Sequence, residues 1–499
     1  MALSSGPIGR GRFRESFERS EFFHVRSQGR YRVQRKEDAL TFECTFRDGQ
    51  ESASHRLDYF VGSGRIGRSY LFRIDNFLYQ APVSYYSANA RWDLSPGYER
   101  YDHLYFARPV EATCLGCHAT HVQPMKGTQN GFDPVPFAEP GIGCEMCHGE
   151  GDRHVGITSA KPDPHAIVNP ARLDAERRDS ICARCHLSGL ARVDKSERGA
   201  ASFGPGERFS DFVSVFVQTG RADELKVTSH FETFALSRCK VASGERLWCG
   251  TCHNPHAVPA EEDKAEYYRK KCLECHGGHG CTEKTVVRER VGNNCIGCHM
   301  PRKKVIDVQH AAYTDHSIRL RPAGAHNVAR KGCSIEAFPG MNATDRDLAL
   351  AYAQIATEQN DSECGARAFD LLRKVEPMNS RDAAVLMQLG YQYDFRAKDR
   401  EAIALYERAL AADPSQITAA INLGAALSKL GQVQRATALW KDVLGRSPAS
   451  EAASVNLALA EFRSGDVRAA ENTLQRALRL SPGSDTIRKL LNALQQRNR

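Results

Sequence analysis

Cysteine, two further residues, cysteine and histidine recur six times along this chain. The triplets are Cys114, Cys117 and His118; Cys144, Cys147 and His148; Cys182, Cys185 and His186; Cys249, Cys252 and His253; Cys272, Cys275 and His276; and Cys295, Cys298 and His299. Two thiols three positions apart lie within about one helical turn. Both can therefore add to the vinyl groups along one edge of a porphyrin, while the adjacent imidazole reaches the iron as proximal ligand. That is the spacing of covalent c-type haem attachment. No CxxC pair lacks its His. With 18 His in 499 residues, a chance His after all six pairs has a probability on the order of a few in a billion, which sets aside the zinc-ribbon chemistry that CxxC alone permits. The expected cofactor is haem c, six per chain.

A low-spin electron carrier needs a second strong ligand on each iron. Twelve histidines remain for that role: His24, His55, His103, His121, His154, His165, His230, His256, His279, His310, His316 and His326. The best candidates for distal ligands are His256 in Cys-His-Asn-Pro-His, His154 in the Gly-rich stretch after the second motif, and His310 and His316 just beyond the last. His230, ahead of the fourth motif, and His24 complete the set. No motif replaces its proximal His, so none marks a catalytic haem, and no catalytic residue is assigned. Met300 adjoins His299 too closely to reach an iron. Five cysteines stand outside the motifs: Cys44, Cys239, Cys281, Cys333 and Cys364. They read as apolar thiols, with a Cys239–Cys281 disulfide as the alternative.

The elements that must position these groups read as an α+β chain with a small N-terminal β-sheet region, a loop- and helix-rich multihaem core and a C-terminal all-α tetratricopeptide solenoid. Residues 1–99 form the β-rich region. Tyr31, Val33, Leu40, Phe42, Cys44 and Phe46 alternate with polar residues around Lys36-Glu37-Asp38, and a second hairpin is expected around Asp75-Asn76. Such a sheet would cover one end of the haem array. Gly62, Gly64 and Gly67 read as a turn, since no phosphate-loop Lys follows them. Residues 100–325 form the haem domain. From Cys114 to His299 there are 186 residues for six motifs, about 31 each, too few to wrap each porphyrin in its own pocket. The haems are therefore expected to contact one another and to serve as the core. Residues 326–345 read as a linker.

In residues 346–499, Pro414, Pro448 and Pro482 recur every 34 residues, the tetratricopeptide period. Small and aromatic positions agree: Gly390, Ala402, Tyr406 and Ala409, then Gly424, Ala436 and Trp440, then Ala458, Ala470 and Ala477. A degenerate copy ends at Pro377, and Asp485 to Arg499 reads as a capping helix. Stacked helix pairs make a surface for a protein partner.

The formal charge of +8 would suggest a polyanionic partner. Twelve haem propionates and six ferric centres bring the loaded protein to about +2, so many Arg and Lys read as propionate partners and nucleic acid is not expected. No apolar run approaches the length of a membrane span. Covalent haem attachment implies export to the periplasm or beyond. Met1 to Ser20 holds no apolar signal stretch. The expectation is that Met1 is internal to a longer reading frame.

Cys-Ile-Gly-Cys-His-Met-Pro at 295–301 with His310 and Thr314-Asp315-His316, the run at 147–154 and Cys-His-Asn-Pro-His at 252–256 resemble the multihaem cytochrome c superfamily. Within it are hydroxylamine oxidoreductase, the tetrahaem carrier of nitrification and pentahaem nitrite reductase, and the closer likeness is to members with a C-terminal tetratricopeptide array. The resemblance implies haem ligation, and a further CxxCH ahead of Met1 that would give the natural protein seven haems, and leaves the substrate open. Two functions follow. One is a periplasmic electron carrier whose repeats dock a redox partner protein. The alternative is an oxidoreductase acting on a small nitrogen or sulfur compound at a haem with an open axial site. A structural assembly factor acting through the repeats alone ranks third.

Overall fold

In the computed structural model, residues 4–9, 15–46, 51–98, 108–156, 166–219, 226–277, 281–308, 310–320 and 333–497 are described. His103, His165, His279, His326 and the first part of the expected linker lie outside them. The chain divides into two compact units, one of Gly143–Ala343 and one in which Ala2–Ile142 joins Thr344–Arg499.

The second of these begins with strands. They are β1 (Ser5–Pro7), β2 (Glu21–His24), β3 (Gly29–Lys36), β4 (Ala39–Phe46), β5 (Glu51–Leu57), β6 (Tyr59–Val61), β7 (Gly67–Ile74), β8 (Phe77–Tyr86), β9 (Arg91–Leu94), β10 (Arg108–Pro109), β11 (Thr120–Pro124) and β12 (Phe132–Glu139). One antiparallel sheet runs β2-β3-β4-β5 and another β1-β6-β7-β8-β10, with β9 also on β8, while β11 pairs β12. Both expected hairpins form. Lys36 pairs with Ala39 and Ile74 with Phe77, so each turn has two residues, with Glu37 at φ 53° and Asp75 at φ 52°. Positive φ matches the twist of two-residue hairpins and is tolerated there by short polar side chains. Alternation then puts Tyr31, Val33, Leu40, Phe42 and Cys44 into one core with Tyr70, Phe72, Tyr79 and Trp92. Inside it, Arg68 donates to Glu15 at 2.9 Å and the Tyr70 hydroxyl to the same oxygen at 2.6 Å. That pairing is needed because an unpaired carboxylate at this depth costs about 3–5 kcal/mol.

The Gly143–Ala343 unit is built differently. After α1 (Ala112–Leu115) of the other unit come α2 (Glu145–His148), α3 (Asp152–Val155), α4 (Ala175–His186), α5 (His230–Ala235), α6 (Arg238–Ser243), α7 (Cys249–Cys252), α8 (Lys264–His276), α9 (Thr285–Arg290) and α10 (Cys295–His299). Strands β13 (Ala191–Asp194), β14 (Val213–Gln218) and β17 (Ile335–Ala337) form one small sheet, and β15 (Arg302–Lys304) with β16 (Ala312–Thr314) another. A modest core of Ala183, Leu187, Phe203, Phe209, Phe212, Val213, Val215 and Phe338 holds α4 against β14. Beyond it apolar burial ceases: from Arg238 to His310 no described residue is buried.

Helices α11 (Asp345–Gln359), α12 (Ser362–Val375), α13 (Ala383–Phe395), α14 (Asp399–Ala412), α15 (Ile417–Lys429), α16 (Val433–Arg446), α17 (Glu451–Arg463), α18 (Val467–Leu480) and α19 (Asp485–Arg497) make the repeat array. The helices starting at Ala383, Ile417, Glu451 and Asp485 begin 34 residues apart, as do those starting at Asp399, Val433 and Val467. Glycine sets the approach within a pair. A Cβ on Gly424 would meet Trp440 Nε1 at 2.5 Å, and one on Gly390 would meet Tyr406 at 2.8 Å. Ile487, Leu491 and Leu494 of α19 close the last apolar face over α18. The repeats also join the sheets: Ala449 and Leu480 pack into the cluster of Tyr31 and Trp92, and Ser447 Oγ donates to Gln129 Oε1 at 2.7 Å.

Candidate haem-binding region

Each motif sits at a short helix or helix end. In the sheet-and-repeat unit, Leu115 of the first motif is buried with Leu71, Leu78, Val110 and Phe132, while Cys114 stays at the surface. Ser4 and Ser5 hydroxyls both donate to the His118 carbonyl at 2.8 Å. The other five motifs belong to the Gly143–Ala343 unit, at α2, at the C-terminal ends of α4 and α8, at α7 and at α10. Partial burial pushes the thiols of Cys147 and Cys252 above their usual range, and that of Cys272 up to about 11.

The imidazoles show what they are prepared to bind. His148 Nδ1 lies 2.7 Å from the Val168 carbonyl, and Val168 N–H returns a bond to the His148 carbonyl at 2.9 Å. His299 Nδ1 faces the Arg319 carbonyl at 2.9 Å, and His316 Nδ1 the Thr314 carbonyl at 2.8 Å. Carbonyls only accept, so Nδ1 carries the proton and Nε2 keeps a lone pair, the state a metal-binding imidazole requires. Burial lowers the pKa of His186, His253 and His316, and takes His230 down to about 3. These four rings are neutral at neutral pH, as ligands must be.

Three of the six candidate distal histidines lie beside a proximal one. His256 is 5.8 Å from His148 between ring centres with planes 13° apart, His316 is 6.1 Å from His253, and His230 is 5.1 Å from His186. Two imidazoles sharing one iron, each with a metal–nitrogen bond of about 2.0–2.1 Å, hold their centres roughly 6 Å apart. The first two pairs match that spacing, and the third is tighter.

Local structure explains the placement. Asn254 Oδ1 accepts from His256 N–H at 3.0 Å, a turn that folds the second His of Cys-His-Asn-Pro-His back over its motif. Glu232 Oε1 accepts from Ser188 and Gly189 N–H at 2.9 and 2.6 Å, tying α5 and its His230 to the turn just after His186. Asp315, gripped by Lys303 at 2.8 Å and Ser317 N–H at 2.9 Å, fixes the backbone that carries His316.

The other three candidates stand elsewhere. His154 is exposed on α3, and His310 occupies a left-handed turn before β16. His24 lies at the end of β2, where its Nδ1 is 3.2 Å from Ser27 N–H, a contact in which the ring nitrogen must accept. Tyr268, whose hydroxyl is 3.1 Å from His253 Nδ1, Tyr313, whose ring is 5.9 Å from His230, and Glu232 escaped the sequence reading. Nothing in their spacing marked them, and the carbonyls of Val168, Thr314 and Arg319 could have come from any residue type. Cys44, Cys239 and Cys281 are free thiols, so the Cys239–Cys281 disulfide does not form; Cys333 and Cys364 are disulfide-bonded.

The residues fit haem on a further count. The stretch from Arg238 to His310 carries three motifs and, among its described residues, none that is buried, yet displays Val241, Leu273, Val286, Val287 and Ile306 exposed. A folded segment with outward apolar side chains and no core of its own needs a large apolar group to pack on, which a porphyrin supplies. Cys114 with Cys117, and the corresponding thiols of the other five motifs, are the residues that would hold haem, with the six proximal histidines on iron.

Family models agree with these features. Residues 98–149 match the cytochrome c554 and c-prime family, residues 266–304 the doubled CXXCH motif, and residues 429–494 the tetratricopeptide repeat. The chain carries multihaem cytochrome c segments and a tetratricopeptide array. No curated protein matches it. Among solved structures it is similar to MamA 41-end from Desulfovibrio magneticus RS-1, with 22% identity over 30% of this chain and 86% of that one, at a TM-score of 0.28. It is also similar to the first tetratricopeptide domain of Spaghetti (RPAP3) bound to an HSP90 peptide, with 24% identity over 24% of this chain and 94% of that one, at 0.23. Among the described residues no helix is long and apolar enough to cross a membrane.

Proposed function

We propose that this chain is an exported multihaem c-type cytochrome that relays electrons through six covalently held haems and docks a protein redox partner on its repeat array. One observation carries the reading. His256, His316 and His230 stand beside the proximal His148, His253 and His186, so each pair of imidazoles would hold an iron together, a ligand set that favours electron transfer over substrate binding. When bound, haem supplies a one-electron iron couple. The chain's own part would be to attach it and to present neutral imidazoles, those of His148, His299 and His316 held by backbone carbonyls.

Export is supported by the chemistry of CxxCH attachment and by the disulfide-bonded Cys333 and Cys364, since disulfides persist in oxidising compartments. Within the superfamily it resembles, we place it with the carriers rather than with hydroxylamine oxidoreductase. The test is the oxidised, fully matured protein. Its mass should exceed that of the polypeptide by six haems, and its optical and EPR spectra should be low-spin throughout. A high-spin haem that takes up nitrite, hydroxylamine or cyanide overturns the carrier in favour of an oxidoreductase.

A further inference from the structure

The proximal imidazoles of His148, His253 and His299 are held at Nδ1 by two kinds of partner. At His148 and His299 it is a main-chain carbonyl, at 2.7 and 2.9 Å. At His253 it is a side chain: the Tyr268 hydroxyl lies 3.1 Å from Nδ1. The two rings meet at 68° with their centres 5.5 Å apart, and His316 stands 6.1 Å from the same imidazole. Both partners have fixed places. Tyr268 lies one turn before Cys272 on α8, which packs against α7 of the fourth motif. His253 N–H donates to the Cys249 carbonyl at 2.9 Å, tying the backbone of the imidazole to its own motif.

We propose that Tyr268 is a positioning residue for the fourth haem and acts through His253. With Nε2 on iron, Nδ1 keeps its proton and donates it to the Tyr268 oxygen, so the hydroxyl fixes the rotation of the ring and the nitrogen left for the metal. It also sets the strength of the ligand. An acceptor at Nδ1 draws on the proton and makes Nε2 a better electron donor, which favours ferric iron and lowers the reduction potential. A phenol oxygen shares its lone pair with the ring and accepts more weakly than an amide carbonyl. His253 therefore gains less donor strength than His148 and His299, and this contribution to the potential depends on a side chain that one substitution removes.

The inference rests on the proposed haem-bound carrier and on the pairing of His316 with His253. Its test starts from the fully matured His316→Ala protein, whose fourth haem loses its distal ligand, turns high-spin and can be followed apart from the low-spin centres. Resonance Raman of the reduced protein reads the iron–imidazole stretch of that haem, and potentiometric titration reads its midpoint. Adding Tyr268→Phe keeps the ring and removes only the oxygen. The stretch should fall in frequency and the midpoint should rise, with the other haems unchanged. Tyr268→Phe alone should raise the midpoint of a single haem and leave every centre low-spin. A hydroxyl that only packs α8 against α7 would leave stretch and midpoint where they were, a result that overturns the role of Tyr268 while the carrier stands. A high-spin haem that takes up nitrite in the unaltered protein overturns the carrier, and the shifts caused by Tyr268→Phe still decide the role of Tyr268. Where the His316→Ala protein fails to mature or stays low-spin, the titration of Tyr268→Phe alone decides: no shift at any haem overturns the proposal.

Discussion

A histidine is poised to bind iron through Nε2 when a neighbouring acceptor holds the proton on Nδ1. At His148, His299 and His316 a backbone carbonyl at 2.7 to 2.9 Å takes the Nδ1 proton and leaves Nε2 bare. At His24 the Ser27 N–H approaches Nδ1 instead, which puts the proton on Nε2. Replacing His256 by Ala therefore turns one haem high-spin, namely the one attached at Cys144 and Cys147, while the same change at His24 leaves the haem spectrum as it was. EPR of the two oxidised variants checks this. A low-spin spectrum in the His256 variant would break its assignment to His148. The effect is confined to one centre because each imidazole serves one iron.

Among the elements, the two units gain stability in different ways. The repeat helices bury a continuous apolar seam, and in the pairs α13–α14 and α15–α16 a glycine faces an aromatic ring. Gly424→Val would drive a side chain into Trp440 and is expected to cost about 1–3 kcal/mol, from overpacking and a forced separation of α15 from α16. Gly431→Ala meets no atom within 4 Å and pays only for its φ of +80°, about 1–2 kcal/mol. Thermal unfolding followed by far-UV circular dichroism of the full chain should rank the valine variant as the less stable. Equal midpoints would mean that the helix pair relaxes around the added side chain. The haem-bearing helices have no such seam. From α6 to α10 no described residue is buried and several apolar side chains face outward, so porphyrins attached there would supply the apolar contacts these helices lack.

At the scale of the whole molecule, the strands at the start of the chain and the repeats at its end share one core through Ala449 and Leu480. A charge at Ala449, as in Ala449→Asp, would be buried among the apolar side chains of that cluster and is expected to cost about 2–3 kcal/mol. Because the core is common, strands and repeats should become sensitive to protease at the same denaturant concentration in the variant. Cleavage confined to the repeats would show that the two parts fold independently.

What could be read without coordinates was whatever is written in local spacing. The CxxCH pattern names its cofactor because attachment requires two thiols and an imidazole within five residues. Period two marked the hairpins at Glu37 and Asp75, and the 34-residue period marked the helix pairs, because each is a repeat of backbone geometry along the chain. Pairing across the chain was not legible in this way. That His316 meets His253, that His256 folds back on His148 and that Ala449 closes the core of Tyr31 depend on how distant segments pack. A carbonyl acceptor or a small apolar contact can be supplied by almost any residue type, so no residue pattern announces it. The sequence by itself determined the haem chemistry and the kinds of element. Only the tertiary structure decided which histidine faces which and which ends of the chain share a core, because those choices are made by long-range burial and hydrogen bonding.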